Sequence, residues 1–135
     1  MSKDLITEAQ RARQRAYAPY SGITVGAALL AASGIVYQGA NIENAAYAGI
    51  CAERAAFVSA LLAGEREFTA IAVSGGPAAA PATEYFYPCG VCRQWMAEFC
   101  APDFLVIAAV SAEDFKEAAL SKLLPLSFGP GHLKK

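Results

Sequence analysis

Two short stretches that contain cysteines place the strongest constraint on how this chain can fold. CAER at residues 51–54 puts a glutamate two residues after a cysteine, and PCGVCRQ at residues 88–94 contains a CxxC pair. Each stretch opens a predicted helix, because residues 51–63 run up to Gly64 and Pro88 suits a first helical turn. The positive ends of two helix dipoles at one point would favour thiolates over thiols. The pattern therefore predicts two helix N-termini that converge.

Three of the four cysteines form a candidate metal site. Cys89 and Cys92, three residues apart, share one face of a helix, and Cys51 opens the other helix. Three thiolates suit zinc and leave the fourth tetrahedral position open for water, which is the arrangement of catalytic and not of structural sites. Glu53, two residues from a ligand, is placed to exchange protons with that water. The sequence therefore favours a catalytic zinc site.

The other candidate ligands are predicted to lie elsewhere. Cys100 falls at the far end of its helix, about 12 Å from Cys92 at the α-helical rise per residue, and is interpreted as a core thiol. The single histidine, His132, belongs to the C-terminal tail and is expected to be exposed and not a ligand.

The residues alone leave simpler interpretations of the cysteines open. A CxxC motif in an α/β protein is often a thioredoxin-like redox pair, but a redox pair explains neither Cys51 nor Glu53. A disulfide is disfavoured in a reducing compartment. Ordinary packing explains any one cysteine, but not the whole set.

Composition predicts one globular domain over residues 1–135. Hydrophobic residues make up 56% of the chain and charged residues 17%, which is typical of a packed core and not of disorder. No apolar run approaches the roughly 20 residues of a membrane helix. The first 17 residues lack the apolar segment of a signal peptide, so a cytoplasmic protein without a membrane partner is expected. The net charge of −1, without a basic run, disfavours a nucleic-acid partner.

Hydrophobic periodicity predicts an α/β protein with right-handed crossovers. A hairpin turn is expected at Ser33-Gly34, and the proline-rich stretch PAAAPATEYFY is expected to be a loop. The predicted helices span residues 3–17, 51–63, 88–99 and, on propensity alone, 112–124. The predicted strands are two within residues 23–41, one at 68–75 and one at 104–110.

Over nearly its whole length the chain resembles the small homotetrameric zinc-dependent cytidine deaminases. The stretches that carry the resemblance are AYAPYS, VGAALL, NIENAAY, CAER, PCGVCRQ and LLPLSFGP, and C-x-E followed by P-C-x-x-C is the zinc deaminase signature. The resemblance implies an α/β fold, a three-layer α/β/α sandwich around a five-stranded mixed sheet. It also implies a homotetramer with shared active sites. Near Phe115 it implies a short fifth strand before a last helix, in place of the helix predicted from propensity.

The same resemblance assigns roles around one zinc ion per chain. It implies that Cys51, Cys89 and Cys92 bind the zinc and that Glu53 carries protons between water, the N3 atom of the base and the leaving ammonia. Arg54 would donate hydrogen bonds to the thiolates and draw off part of their charge. Gln94 would support the cysteine loop, the segment that contains Cys89 and Cys92.

Substrate contacts are implied as well. Asn41 and Glu43 alternate with Ile42, so in extended chain they point to one side, and the resemblance assigns them to the ribose 3′-hydroxyl; an Asx turn at a strand end is the simpler alternative. The backbone of Ala52 would face the base. Two aromatic residues would line the pocket across subunit boundaries, namely Tyr47 and Phe128.

Three departures from the family pattern bear on the substrate. Ile23 stands where the family usually has an aromatic residue that packs on the pyrimidine ring, and it is still expected to contact the substrate. The segment between Tyr47 and Cys51 is one residue shorter than expected. The loop over residues 75–88 is longer and brings aromatic residues next to the cysteine loop, in the stretch EYFY.

The predicted function is zinc-dependent hydrolysis of cytidine and 2′-deoxycytidine to uridine and 2′-deoxyuridine, as in pyrimidine salvage. One alternative is a deaminase of a modified aminopyrimidine nucleoside, such as an N4-substituted cytidine or blasticidin S. Another is a non-catalytic binding module stabilised by zinc, against which Glu53 and an open coordination position argue.

Overall fold

A computed structural model describes residues 1–134, and its centre is a mixed sheet of five strands in the order β2-β1-β3-β4-β5. Helices lie on both faces of this sheet. In chain order the elements are α1 Ser2–Arg13, β1 Ile23–Ala31, β2 Val36–Ala40, α2 Ala52–Leu62, β3 Phe68–Pro77, α3 Gly90–Phe99, β4 Leu105–Ala109, β5 Phe115–Ala119 and α4 Leu120–Leu123, followed by a 3₁₀ turn at Pro130–His132.

The strands of the sheet pair in both antiparallel and parallel directions. β1 and β2 form an antiparallel hairpin through the turn predicted at Ser33-Gly34, and β3 pairs antiparallel with the other edge of β1. β3 and β4 are parallel, and α3 provides the crossover that a parallel pair requires. β5 then returns antiparallel to β4. The five-stranded mixed sheet is therefore confirmed.

Side chains of alternating strand residues form two cores, one on each face of the sheet. Leu5, Ile6 and Ala9 of α1 pack with Ala72 of β3 and Ile107 of β4 on one face. On the other face α2 and α3 pack over a second core, whose largest buried residues include Phe57, Ile71, Val73, Met96, Phe104 and Val106. The chain is thus a three-layer α/β/α sandwich, as predicted.

Phe57 of α2 lies at the centre of the second core. Its ring packs edge-on against Phe68 with ring centroids 5.2 Å apart, and it stacks on Phe99 with ring centroids 6.0 Å apart. A third ring, Phe104, is tilted at 6.3 Å. These contacts join α2, the start of β3 and the end of α3, and they fix the two helices whose first residues carry the cysteines.

The helix predicted from propensity over residues 112–124 is wrong. Residues 115–119 form β5, which pairs with β4 in register from Leu105–Ala119 to Ala109–Phe115. An edge strand leaves a row of backbone groups unpaired, and their pairing outweighs a modest helix propensity. The short fifth strand and the helix after it agree with the family resemblance.

The first helix is shorter than predicted. It ends at Arg13 and not at residue 17, and Tyr17 instead forms a bridge with Ile42. The Arg13 guanidinium donates to the carbonyl oxygens of Thr24, Pro77 and Ala80. The end of α1 is thereby tied to β1 and to the loop after β3. Among residues 1–134, no helix combines the length and the apolar character needed to cross a bilayer.

Gly39 in β2 lets α2 approach the sheet closely, which generates a stability prediction. A Cβ atom at this position would overlap the backbone oxygen of Ala52 and the backbone nitrogen of Ala56. Gly39→Ala should therefore lower the free energy of unfolding by about 1–3 kcal/mol, the usual cost of overpacking. Urea unfolding followed by circular dichroism measures this difference.

Gly131→Ala is the matched control, because among residues 1–134 no atom lies within 4 Å of a Cβ added there. This variant should unfold at the wild-type urea concentration. Equal stability of Gly39→Ala and wild type would contradict the close helix–sheet contact.

Candidate metal centre and active site

The convergence of two helix N-termini predicted from the cysteines is present. Cys51 is the N-cap residue of α2, and Cys89 is the N-cap residue of α3; both have extended backbone angles. Cys92 lies in the first turn of α3 and is fully buried. The free backbone N–H groups and the dipole of each helix start therefore point toward the thiols and favour negative charge there.

The three sulfur atoms have the spacing of a tetrahedral zinc site. The Sγ atoms of Cys51 and Cys89 are 3.9 Å apart, and those of Cys89 and Cys92 are 3.5 Å apart. All three lie within 4.8 Å of one another. Zinc–sulfur bonds of about 2.3 Å at tetrahedral angles require sulfur separations of about 3.8 Å. The side chains present therefore fit a zinc ion.

Burial and hydrogen bonds shift the pKa values of Cys51 and Cys92 in opposite directions. A hydrogen bond from Cys92 lowers the pKa of the Cys51 thiol to about 5, and hydrogen bonds from Arg54 and Cys89 act in the same direction against the effect of burial. The pKa of Cys92 is raised, first by the hydrogen bond it gives to Cys51 and then by burial. The surroundings of Cys51 thus favour its thiolate form, which is the form that binds a cation.

Arg54 supplies positive charge next to the sulfurs. Its Nη2 atom donates to Cys51 Sγ over 3.3 Å, and this hydrogen bond is the main reason that the pKa of Arg54 is raised. The Nε atom of Arg54 is buried, and within the described part of the chain it has no hydrogen-bond partner. The guanidinium therefore faces the cluster through Nη2.

The two other candidate ligands lie apart from this cluster, as predicted. Cys100 ends α3 and packs against the second core, and burial raises the pKa of its thiol to about 12. His132 is exposed, and its ring stacks on Phe128. Within residues 1–134 the group of side chains that could hold a metal is formed by Cys51, Cys89 and Cys92.

Glu53 is a buried acid in the first turn of α2. Its exposed fraction is 5%, and desolvation raises the pKa of its carboxyl group to about 7. The charge of Cys51 raises this pKa further, whereas the Glu53 backbone N–H and Arg54 lower it. A carboxyl group with a pKa near neutrality can both accept and donate a proton at physiological pH.

Cys51, Cys89 and Glu53 line a cavity of about 490 Å³, a volume within the range of small-molecule pockets. Its lining combines polar and apolar side chains. The polar lining residues include Asn41, Glu43 and Glu53, and the apolar and aromatic ones include Val25, Ile50, Ala52, Val73, Tyr85, Phe86 and Tyr87.

Asn41 and Glu43 both line this cavity, and tertiary hydrogen bonds hold each of them. Asn41 accepts from the Val25 backbone N–H over 2.8 Å and donates to the Ile23 carbonyl over 2.9 Å. The Glu43 carboxylate accepts from the hydroxyl and backbone N–H of Ser21 and from the backbone N–H of Tyr20. The Ser21 hydrogen bonds lower the pKa of Glu43, so this carboxylate stays ionised.

The Asx turn considered for the NIEN stretch is formed by its last residue, Asn44, and not by Asn41. The side-chain oxygen of Asn44 accepts from the backbone N–H groups of Ala46 and Ala48. Asn41 takes no part in that turn. The Asn41 amide joins the segment after β2 to the start of β1 through its two hydrogen bonds. In this position Asn41 lines the cavity.

Three predicted substrate contacts lie away from the cavity of this chain. Tyr47 is 84% exposed and packs edge-on against Tyr20, and Phe128 is 56% exposed. Ile23 begins β1 opposite Pro77, and within the described chain Val25, two residues on, is the β1 residue that lines the cavity.

Gln94 contacts the C-terminal segment and not the cysteines. Its side-chain amide donates to the Phe128 carbonyl over 2.8 Å. Arg93, the residue before it, supports the cysteine loop instead. The Nε atom of Arg93 donates to the Pro88 carbonyl, and its Nη1 atom donates to the Leu123 carbonyl.

The geometry of this site agrees with comparisons to known proteins. Residues 1–108 match the family described as the cytidine and deoxycytidylate deaminase zinc-binding region. The chain belongs to the cytidine deaminase family. It is 46% identical over 128 residues to the cytidine deaminase of Sporosarcina psychrophila, covering 92% of this chain and 88% of that protein. The cytidine deaminase of Halalkalibacterium halodurans is 48% identical over 126 residues, covering 92% and 91%.

Solved structures of cytidine deaminases have the same fold. The enzyme from Burkholderia pseudomallei superposes with a TM-score of 0.83 at 44% identity, covering 93% of this chain and 97% of that chain. The enzyme from Mycobacterium tuberculosis gives a TM-score of 0.78 at 33% identity, with coverage of 93% and 95%. The fold inferred from the resemblance is therefore confirmed.

Sequence reasoning missed two residues that hold the deaminase site together. Ser21 fixes the Glu43 carboxylate, and its signal was the motif AYAPYS, in which the Ser hydroxyl follows a turn-forming Pro19. Arg93 fixes the backbone of Pro88, and its signal was its place directly after the second cysteine of PCGVCRQ. The partner of Ser21 could not be identified without the fold, because Glu43 belongs to a different loop.

The cysteine geometry predicts which thiols are needed for metal. Cys51→Ala, Cys89→Ala and Cys92→Ala should each lose the stoichiometric zinc of the wild-type protein, because two thiolates leave the ion without a third protein ligand. Metal analysis of the purified variants by inductively coupled plasma mass spectrometry measures the content per chain.

Cys100→Ala serves as the control for this experiment, since it removes a thiol that packs against the core. It should keep the wild-type zinc content. Loss of zinc from Cys100→Ala, together with retention in Cys51→Ala, would refute the proposed ligand set.

Proposed function

We propose that this protein hydrolyses cytidine and 2′-deoxycytidine to uridine and 2′-deoxyuridine with release of ammonia. The observation that carries the proposal is a buried Glu53 that shares one cavity with the Cys51 and Cys89 thiols. The cavity, about 490 Å³ in volume, is of a size that suits a nucleoside. Membership of the cytidine deaminase family supports the same activity.

In this proposal Cys51, Cys89 and Cys92 hold one zinc ion. When bound, zinc acts as a Lewis acid that generates a strong nucleophile from water near neutral pH. Three thiolates on a divalent cation leave one net negative charge, which opposes that action. Arg54 offsets it through the hydrogen bond to Cys51.

Glu53 carries the protons of the reaction. Its carboxylate takes a proton from the attacking water and delivers it to N3 of the cytosine ring. It then takes the proton of the hydroxyl now bonded to C4 and gives it to the amino group, whose bond to C4 breaks. Water thus contributes its oxygen to C4, and ammonia leaves with the protons that balance the reaction. Burial suits Glu53 to both roles, because desolvation raises the pKa of its carboxyl group to about 7.

Asn41 and Glu43 would bind the ribose 3′-hydroxyl. Glu43 is an ionised acceptor held by Ser21, and Asn41 is fixed by its two backbone partners in β1. Because both side chains are held before the substrate arrives, little side-chain entropy is lost on binding. Ala52, buried at the start of α2, would present its backbone to the base.

We further propose a homotetramer in which neighbouring chains complete each pocket. Tyr47 and Phe128 are large, exposed side chains outside their own chain's cavity. Exposed aromatic residues of this kind are typical of subunit interfaces. The sheet with its two helical layers would form one catalytic domain. A cytoplasmic location is proposed because the cysteines must stay reduced to bind zinc.

Glu53→Gln should keep zinc and fold but lose most of its turnover. An amide cannot accept the water proton, and general acid–base catalysis is worth about 10²- to 10⁴-fold in rate. Ammonia release from cytidine measures kcat, and metal analysis confirms the zinc content. Chelator-treated wild-type enzyme should lose activity in the same assay.

Glu113→Gln is a suitable control, because Glu113 is exposed in the turn between β4 and β5. Its kcat should equal that of wild type. A zinc-replete Glu53→Gln enzyme with near-wild-type kcat would remove Glu53 from the mechanism.

A mixing experiment tests the shared site. Glu53→Gln chains lack the proton carrier, and Phe128→Ala chains lack the aromatic group that is given to a neighbour. In hybrid oligomers, a pocket that combines Glu53 from one chain with Phe128 from the other should regain activity. Activity is measured after the two inactive proteins are mixed and allowed to exchange subunits. A fully active monomeric wild-type enzyme in sedimentation analysis would contradict the shared site.

A further inference from the structure

We propose that Phe86 forms the apolar wall against which the pyrimidine base packs, in place of an aromatic side chain at position 23. This inference rests on the proposed function, since it assigns a nucleoside to the cavity. Phe86 and Glu53 line the same cavity. Because Glu53 must reach N3 and C4 of the base, the base has to lie within that cavity and beside its apolar wall.

The ring of Phe86 is fixed against the sheet. It is half-buried and packs against the second core together with Val25. A Cβ atom added to Gly75 of β3 would overlap the Cδ2 and Cε2 atoms of this ring. Gly75 therefore leaves the space that the ring fills, and the ring lies on the strand between the cavity and the core.

Contacts at both ends hold the segment that carries Phe86. The Tyr85 hydroxyl donates to the Asp114 carboxylate in the turn between β4 and β5, and the Lys116 ammonium lies 5.0 Å from the centroid of the Tyr85 ring. On the other side, Arg93 holds the Pro88 carbonyl over 2.7 Å. The segment between these contacts is irregular in structure, yet its position relative to the cysteines is fixed.

Phe86 is the best placed of the aromatic side chains around the cavity. Among the described residues, the aromatic ones that line it are Tyr85, Phe86 and Tyr87. The hydroxyl of Tyr85 is occupied by Asp114, and Tyr87 is 41% exposed. Phe86 has no polar group to satisfy and sits on Gly75 beside Val25, whereas Ile23 lies at the start of β1 opposite Pro77.

Binding of uridine, the proposed product, tests this contact without turnover. Zinc-loaded wild type, Phe86→Leu and Gly75→Ala are titrated with uridine by calorimetry, and their zinc contents and melting temperatures are recorded. Loss or displacement of an aromatic contact should raise the Kd for uridine about 2- to 12-fold in both variants. The KM for cytidine should rise by a similar factor, while kcat changes less than about twofold.

Phe68→Leu is the matched control, because Phe68 packs edge-on against Phe57 in the core and its side chain is absent from the cavity lining within residues 1–134. Its melting temperature should fall, but its Kd for uridine should equal that of wild type. A wild-type Kd in folded Phe86→Leu overturns the inference. If Phe86→Leu does not fold, a wild-type Kd in Gly75→Ala overturns it instead.

Failure of the proposed function gives a different result. If the wild-type protein releases no ammonia from cytidine yet binds uridine more tightly than Phe86→Leu does, deamination fails while the contact between Phe86 and the base stands. If the wild-type protein neither binds uridine nor releases ammonia, both proposals fall.

Discussion

The close approach of three cysteine sulfurs, all within 4.8 Å of one another, is the constraint on which the rest of this site depends. Two helices must begin at the same point to achieve it, and each N-terminus contributes a dipole that favours thiolate. The sheet supplies the geometry: α3 connects two parallel strands, and α2 approaches β2 closely because Gly39 has no side chain. Phe57 then joins the helices through a shared core.

The convergence of the three cysteines also brings the charges of the thiolates, Glu53 and Arg54 close together. Three thiolates with a divalent cation would keep a negative charge beside the buried carboxyl group of Glu53, and a nearby negative charge raises the pKa of such a group. Arg54 opposes this effect through its hydrogen bond to Cys51, and its Nε atom is buried without a partner in the described chain. The buried Nε atom gives up one hydrogen bond to water, a cost that the charge compensation at the sulfurs offsets.

The long loop after β3 links the site to the rest of the sheet. The Arg13 guanidinium of α1 holds its first part through the Pro77 and Ala80 carbonyls, and Tyr85 holds its last part to Asp114. Tyr85, Phe86 and Tyr87 lie between the Tyr85–Asp114 contact and the hydrogen bond from Arg93 to Pro88, and they form one wall of the cavity. A loop anchored at both ends can alter the shape of a pocket while the cysteines and Glu53 keep their positions.

Residue types and local spacing alone identified the three cysteines and Glu53 as a candidate site and predicted the two helix starts. A thiolate cluster beside a carboxylate at helical spacing has few chemical uses. The family motifs predicted the fifth strand, and they are the basis for proposing Asn41 and Glu43 as ribose contacts. Only the tertiary structure decided that residues 115–119 form β5, because the unpaired edge of β4 is invisible to local propensity. It likewise decided that Phe86, and not Ile23, lines the cavity, and that Tyr47 and Phe128 lie outside it. Those positions depend on contacts between residues far apart in sequence.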